Sequence, residues 1–262
     1  MDQSRCDDVG MDIASMGALN LSEFVRSTAG RIGSSQEIRG GIVVAGPVPV
    51  ANGYVNAAIP TDTSIAPADF FDDACTFFAQ LDRPFVLWTP TSAPSFSGEA
   101  VRRNLVADKD PSPAMYTQVP VPIEVDLRIH LVDDEDSAEI FGDLCERGYN
   151  KPGMAWLLAH QQGYSAPGTS WYIAFDGDVA VSAACGFLSG ETGGIYSVAT
   201  PSESRGRGFA ATVTAIATNN LFGQGATSVV LQASKLGFGV YERLGFRIYD
   251  HYERFTFAGP NV

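Results

Sequence analysis

Basic residues, histidine and cysteine are all scarce in this sequence, and each shortage closes off a class of protein. Lysine and arginine total 17 against 30 aspartates and glutamates, for a formal charge of −13. Such a chain repels a nucleic-acid backbone, so no nucleic-acid partner is expected. The acidity suits a cationic substrate, although solubility alone is the more ordinary reason for it. His130, His160 and His251 are scattered, and Cys6, Cys75, Cys145 and Cys185 form no C-x-x-C pair. Reduced thiols, no disulfide framework and no metal site are therefore expected. No apolar run reaches the roughly eighteen residues of a membrane span. The opening "MDQSRCDDVGMD" lacks the basic-then-apolar order of a secretory signal. A cytoplasmic protein without a membrane partner is the expectation.

What is present is a globular composition. Apolar residues make up 45% and charged residues 18%, enough to build a substantial core. Proline gathers in "TPTSAPSFSG" (89–98), read as a loop, and in "KDPSPAMYTQVPVPIEVD" (109–126), read as a short strand and an extended connector. The second cluster sets a domain boundary near Pro120–Pro122, dividing the chain into 1–120 and 121–262.

Beyond the boundary the elements are legible. "VDLRIHLV" alternates as a strand, and "DDEDSAEIFGDLCERGY" reads as a helix with an acidic first turn and Gly148 as its stop. The acid run Asp133–Asp136 is read as that helix start rather than as a cation site. "PGMAWLLAHQQGY" reads as a second helix closed by Gly163. "SWYIAF" and "VAVSAACGFL" flank the turn pair Asp176-Gly177 as a hairpin, and "IYSVAT" is a third strand. In "SESRGRGFAATVTAIATNN", Phe209, Val213, Ile216, Ala217 and Leu221 share one helical face. "TSVVLQA", "SKLGFGVYERLGF" and "RIYDHYERFTF" add a strand, a short helix-like segment and a closing strand. The order β-α-α-β-β-β-α-β-α-β predicts an α+β layer with a mixed, largely antiparallel sheet flanked by helices.

The first half follows a shorter version of this order. "GIVVAGPVPVANGYVNAAI" supplies two strands and "PADFFDDACTFFAQL" a helix. "PFVLWTP", "SGEAVRRNLVAD" and "PAMYTQV" then supply a strand, a helix and a strand. Between "NAAI" and its helix stands "PTDTSIAPADFF", which contains no glycine. A degenerate structural repeat is the expectation.

Arg205-Gly206-Arg207-Gly208 sits at a strand-to-helix junction. Glycines there let successive backbone N–H groups approach a ligand, and the following helix adds free amides and the positive end of its dipole. The stretch reads as an anion cradle, most naturally for a diphosphate. It is not a P-loop, because G-x-x-x-x-G-K-[ST] is absent. A dinucleotide fingerprint fails too, since the preceding strands are hairpin-linked and "GQGATSVVL" offers no acid about twenty residues on.

Arg205-Gly206-Arg207-Gly208-Phe209-Ala210 matches [RQ]-x-x-G-x-[GA], the signature of the GCN5-related N-acetyltransferases. Tyr241-x-x-Leu244-Gly245-Phe246 resembles the family's Y-x-x-L-G-F, in the right order and about thirty residues on. The resemblance implies a complete acetyltransferase domain over 121–262 and a degenerate copy without the phosphate loop over 1–120, in tandem. It implies acetyl-CoA as cosubstrate and a small-molecule or peptide primary amine as acceptor, attacked directly in a ternary complex. Val198, Ala199 and Thr200 would offer a splayed strand edge to the pantetheine arm. Gly206, Arg207, Gly208, Phe209, Ala210 and Ala211, with Arg205 at the loop's start, would hold the pyrophosphate. Tyr241 would protonate the departing thiolate, and Ser234 stands where the family often has a cofactor-contacting asparagine. The general base stays open: Glu191 and Glu203 are the nearest acids in sequence, and His251 is a further candidate. A CoA-binding regulatory module with decayed chemistry is the alternative.

Overall fold

A computed structural model describes residues 4–123, 125–153 and 164–259 of the chain. The chain forms two compact units, Met1–Ala114 with Ile248–Val262, and Met115–Arg247. The division falls inside the strand "SPAMYT", a few residues before the expected boundary. The closing segment also belongs to the first unit, because Tyr252–Phe257 pairs antiparallel with Pro90–Phe85.

The first unit opens with helix α1 (Ser4–Ser27), which the periodicity reading had not marked. Ile13, Ala18, Leu21, Phe24 and Val25 recur at helical spacing and are buried. Strands β1 (Ser34–Ile38), β2 (Gly41–Ala45) and β3 (Asn56–Pro60) follow, joined antiparallel. Helix α2 (Pro67–Gln80) then crosses to β4 (Phe85–Pro90), which runs parallel to β3 through Ala57 and Ala58. Phe70, Phe71, Phe78, Phe85 and Phe96 are completely buried and form an aromatic core. Helix α3 (Pro94–Arg102) begins inside the segment expected to be a loop. Proline occupies its first turn, where the missing N–H costs no helix hydrogen bond. The short β5 (Val106–Ala107) pairs with the closing strand.

In chain order β6 (Ser112–Thr117) comes next, followed in the second unit by β7 (Arg128–Leu131) and α4 (Glu135–Tyr149). Asp134 caps α4, accepting from the Ser137 amide at 2.8 Å while the Ser137 hydroxyl returns toward the backbone. The acidic run is thus a helix start. Gly148 does not end this helix, which continues to Tyr149 and is stopped by left-handed Asn150. The predicted helix over "PGMAWLLAHQQGY" lies almost wholly outside the described residues.

Strands β8 (Thr169–Asp176) and β9 (Val179–Ser189) form the predicted hairpin, with Gly177 at φ 61° in its turn. Strand β10 (Thr192–Ala199) pairs antiparallel with β9 and parallel with β11 (Ser228–Gln232). Helix α5 (Phe209–Gly223) joins β10 to β11 and is buried on nearly every side, not along one stripe. Part of the extra cover is the connector before β7. Asn219 exchanges two hydrogen bonds with the Val121 backbone, and Thr212 accepts from the Val125 amide. Helix α6 (Phe238–Arg243) follows β11, and β12 (Arg247–Phe257) returns to the first unit. The expected α+β class with a largely antiparallel sheet is borne out.

Candidate functional site

The site begins where β10 stops being an ordinary strand. Its parallel pairing with β11 runs from Thr192 to Ile195 and then ends. Pairing with β9 also slips between Tyr196 and Ala199, and Ser197 sits at φ 52°. An extra residue in one strand bends it away from its neighbour and frees its edge. Ala199's carbonyl accepts from Ser182 on β9 at 3.0 Å, so the carbonyl of Val198 faces the opposite, splayed side.

Past Thr200 a single turn over Ser202–Ser204 leads into the glycine loop. Gly206 and Gly208 adopt φ 76° and 81°, a region that side chains with a Cβ rarely enter. Gly208 is the N-cap of α5 and carries no side chain to satisfy the first amides. The splayed edge, this loop and α6 surround a cavity of about 480 Å³.

Most of the residues singled out in the sequence converge here. Val198, Ala199 and Thr200 line one wall, and Arg205, Gly206 and Gly208 line the loop end. Phe209, Ala210 and Ala211 line it from the helix start, while Ser234 and Tyr241 close it from the α6 side. Arg207 is placed differently. Its guanidinium pairs with Asp176 at 2.6 Å and lies over the Phe209 ring, away from the cavity wall. Arg205 lines the cavity, yet its guanidinium is engaged with two carbonyls, Thr200 at 3.0 Å and Gly148 at 2.9 Å. Ser234 accepts from the Gly237 amide at 3.1 Å, so its hydroxyl caps the segment leading into α6.

Gly237 immediately precedes α6. A Cβ at that position would lie 2.8 Å from Tyr241 Cε2. The glycine makes room for the tyrosine ring, which is buried and packs edge-on against Phe246 at 6.1 Å.

Sequence reasoning missed several wall residues. Gly148 and Tyr149 arrive from α4, far upstream, and no local signal announces them. Arg243 also lines the cavity and stands within the Tyr241–Phe246 motif, where a lone cation was a readable sign. Among the described residues the lining holds two arginines and no carboxylate, in a chain of formal charge −13. That local inversion of charge favours an anionic ligand.

The two candidate acids are poorly suited to act as the base. Glu191 immediately precedes β10, at the end of the strand opposite Ala199. Exposed Glu203 pairs with Arg147 at 2.9 Å. Its own backbone amide, then Ser202 and Arg147, holds its carboxyl below the usual range. His251 lies on β12, in the first unit. Cys145 donates weakly to the Ser197 carbonyl at 3.7 Å, and complete burial pushes its thiol well up.

Residues 174–255 match the family model described as FR47-like protein. A GCN5-related N-acetyltransferase from Kribbella flavida superposes with a TM-score of 0.69 at 15% identity, covering 95% of this chain and 96% of its own. A GCN5-related N-acetyltransferase from Sphaerobacter thermophilus gives 0.51 at 16% identity over 74% of this chain and 66% of its own. A tandem GNAT protein from the clavulanic acid biosynthesis pathway gives 0.55 at 13% identity over 74% and 70%. No curated protein matches the sequence. The fold is therefore that of the GCN5-related N-acetyltransferases. The resemblance carried by the loop and the tyrosine motif is borne out at the level of the fold.

Proposed function

We propose that the protein is an acyl-CoA-dependent N-acyltransferase, transferring an acetyl group from acetyl-CoA to a primary amine. The observation that carries this reading is the cavity itself. A splayed strand edge, an uncapped helix start beside two left-handed glycines, and a lining that carries Arg205 and Arg243 and no acid among the described residues meet in one place. Backbone amides from Gly206 to Ala211 fit a diphosphate, with the helix dipole and the two arginines adding positive potential. The edge at Val198–Thr200 fits the amide-bearing pantetheine arm and directs the thioester toward the splay.

The residues then divide the work. A backbone N–H at the edge stabilises charge developing on the thioester oxygen, a contribution usually worth several kcal/mol. The amine nitrogen bonds to the acyl carbon, the carbon–sulfur bond breaks, and the Tyr241 hydroxyl gives a proton to the leaving sulfur. The proton released by the amine passes to water, since neither Glu191 nor Glu203 is suited to take it. Direct transfer is favoured over a cysteinyl intermediate because Cys145 and Cys185 are fully buried and their thiols are pushed up by that burial. Free Cys75, Cys145 and Cys185 suit a reducing compartment such as the cytoplasm.

The first half, residues 1–120 in the sequence division, acts in this reading as a degenerate copy that holds no cofactor. The test is release of free CoA thiol from acetyl-CoA across an amine panel, alongside calorimetric titration of CoA. Turnover with at least one amine is expected, and absence of CoA binding overturns the proposal. Binding without turnover on any amine would instead favour a regulatory module.

A further inference from the structure

Resting on the acyltransferase reading, the contacts of α4 assign a different task to Arg205 from that of a phosphate ligand. The last turn of α4 is drawn onto the end of β10. Gly148 approaches so closely that a Cβ there would lie 2.9 Å from the Ala199 Cβ and 3.1 Å from the Thr200 nitrogen. Arg205 bridges the same seam, donating from Nε to the Thr200 carbonyl and from Nη2 to the Gly148 carbonyl. A planar guanidinium with its donors in a fixed fork sets the spacing of two such acceptors, which an ammonium cannot do. Arg147 adds a second strap to Glu203. The next residue after the clamped carbonyl is Tyr149, whose hydroxyl donates to the Val198 carbonyl at 2.8 Å on the splayed side.

We infer that Arg205 is a positioning residue that holds Tyr149 over the splayed edge, and that the Tyr149 oxygen binds an amide N–H of the pantetheine arm. The chemistry follows from the hydrogen count. A phenol that has given its one hydrogen to a carbonyl meets any further partner as an acceptor. The ligand groups expected along this edge include secondary amides, which are donors. Tyr149 lines the cavity beside Val198 and Ala199, so it is placed to meet them. The clamp thus serves the pantetheine end of the ligand, while the glycine loop serves the phosphate end.

Two ligands separate these roles. Coenzyme A carries the pantetheine arm, whereas 3′,5′-ADP presents nucleotide phosphates without it. Calorimetric Kd values for both would be measured on the wild type, Arg205→Lys, Tyr149→Phe and the double variant. Lysine keeps the charge but loses the fork. Each single variant should weaken CoA binding about threefold to tenfold, the scale of one or two hydrogen bonds, with affinity for 3′,5′-ADP unchanged. The double variant should be no weaker than the weaker single, because Arg205 acts through Tyr149. Loss of 3′,5′-ADP binding in Arg205→Lys, additive effects on CoA, or unchanged CoA affinity in either single variant overturns the assignment. Wild-type protein that binds neither ligand overturns the acyltransferase reading beneath it.

Discussion

Each unit contains the same junction, and the two differ in how the helix start is furnished. In the first unit, β2 and β3 are antiparallel, β3 and β4 parallel, and α2 leads from β3 to β4. In the second, β9, β10, β11 and α5 repeat that arrangement. Among the described residues, β3 beyond Ala58 is paired with β2 alone, as β10 beyond Ile195 is paired with β9 alone. The local topology is shared, and the difference lies in the helix start. Helix α2 has Ala66 at its N-cap, Pro67 without an N–H, and the Asp69 carboxylate in its first turn. Helix α5 has left-handed Gly208, three amides in succession, and no acid in its first turn. A third start, that of α4, is filled by its own capping box. At these three starts the backbone supplies the same positive end, and side chains decide which stays open.

Replacing Gly208 by Trp should break the contrast most severely. A Cβ at φ 81° is strained by about 1–2 kcal/mol, and the indole fills the loop end of the cavity. CoA binding by calorimetry should fall by more than about a hundredfold, with the circular dichroism spectrum of the folded protein retained. Next in size is Tyr241→Phe, which should lower kcat by roughly a hundredfold, the low end of proton-transfer catalysis, with little change in the Kd for CoA. An equal kcat would remove Tyr241 from the chemistry. Calorimetric stoichiometry should then give one CoA per chain. A second equivalent would mean that Pro67 and Asp69 do not close the α2 junction.

The smallest effect concerns the closed start of α4. The Ser137 hydroxyl and amide hold the Asp134 carboxyl below its usual range, so the folded state favours its ionised form. The stability this contributes is present above the ordinary aspartate pKa and is lost as pH falls through the depressed value. Asp134→Ala should lower the melting midpoint at pH 7, and the gap from wild type should close in acid, once the pH has fallen through the depressed value. A gap that persists in acid would mean that the box acts through packing rather than charge.

The legible parts of this molecule were those whose physics is local. Gly206 and Gly208 announced a left-handed bend, and Tyr241–Phe246 announced the far wall, because each works within a few residues of itself. Gly148, expected to stop α4, and Gly237 were illegible for the opposite reason. One is a glycine because Ala199 and Thr200 press against it, the other because the Tyr241 ring does, and neither neighbour can be inferred from a run of letters. Arg205 and Arg207 looked alike in sequence, yet one clamps two carbonyls while the other turns away to Asp176. Helix α1 escaped notice because small residues such as Ala14, Ser15 and Gly17 dilute its apolar period.

The central claim is that open amides at the start of α5 hold a nucleotide's diphosphate. A crystal structure of the protein soaked with CoA tests it most directly. The diphosphate oxygens should lie within hydrogen-bond distance of backbone N–H groups between Gly206 and Ala211, with the pantetheine arm along Val198–Thr200. Ordered CoA bound elsewhere, with that loop making no contact to phosphate, would contradict it.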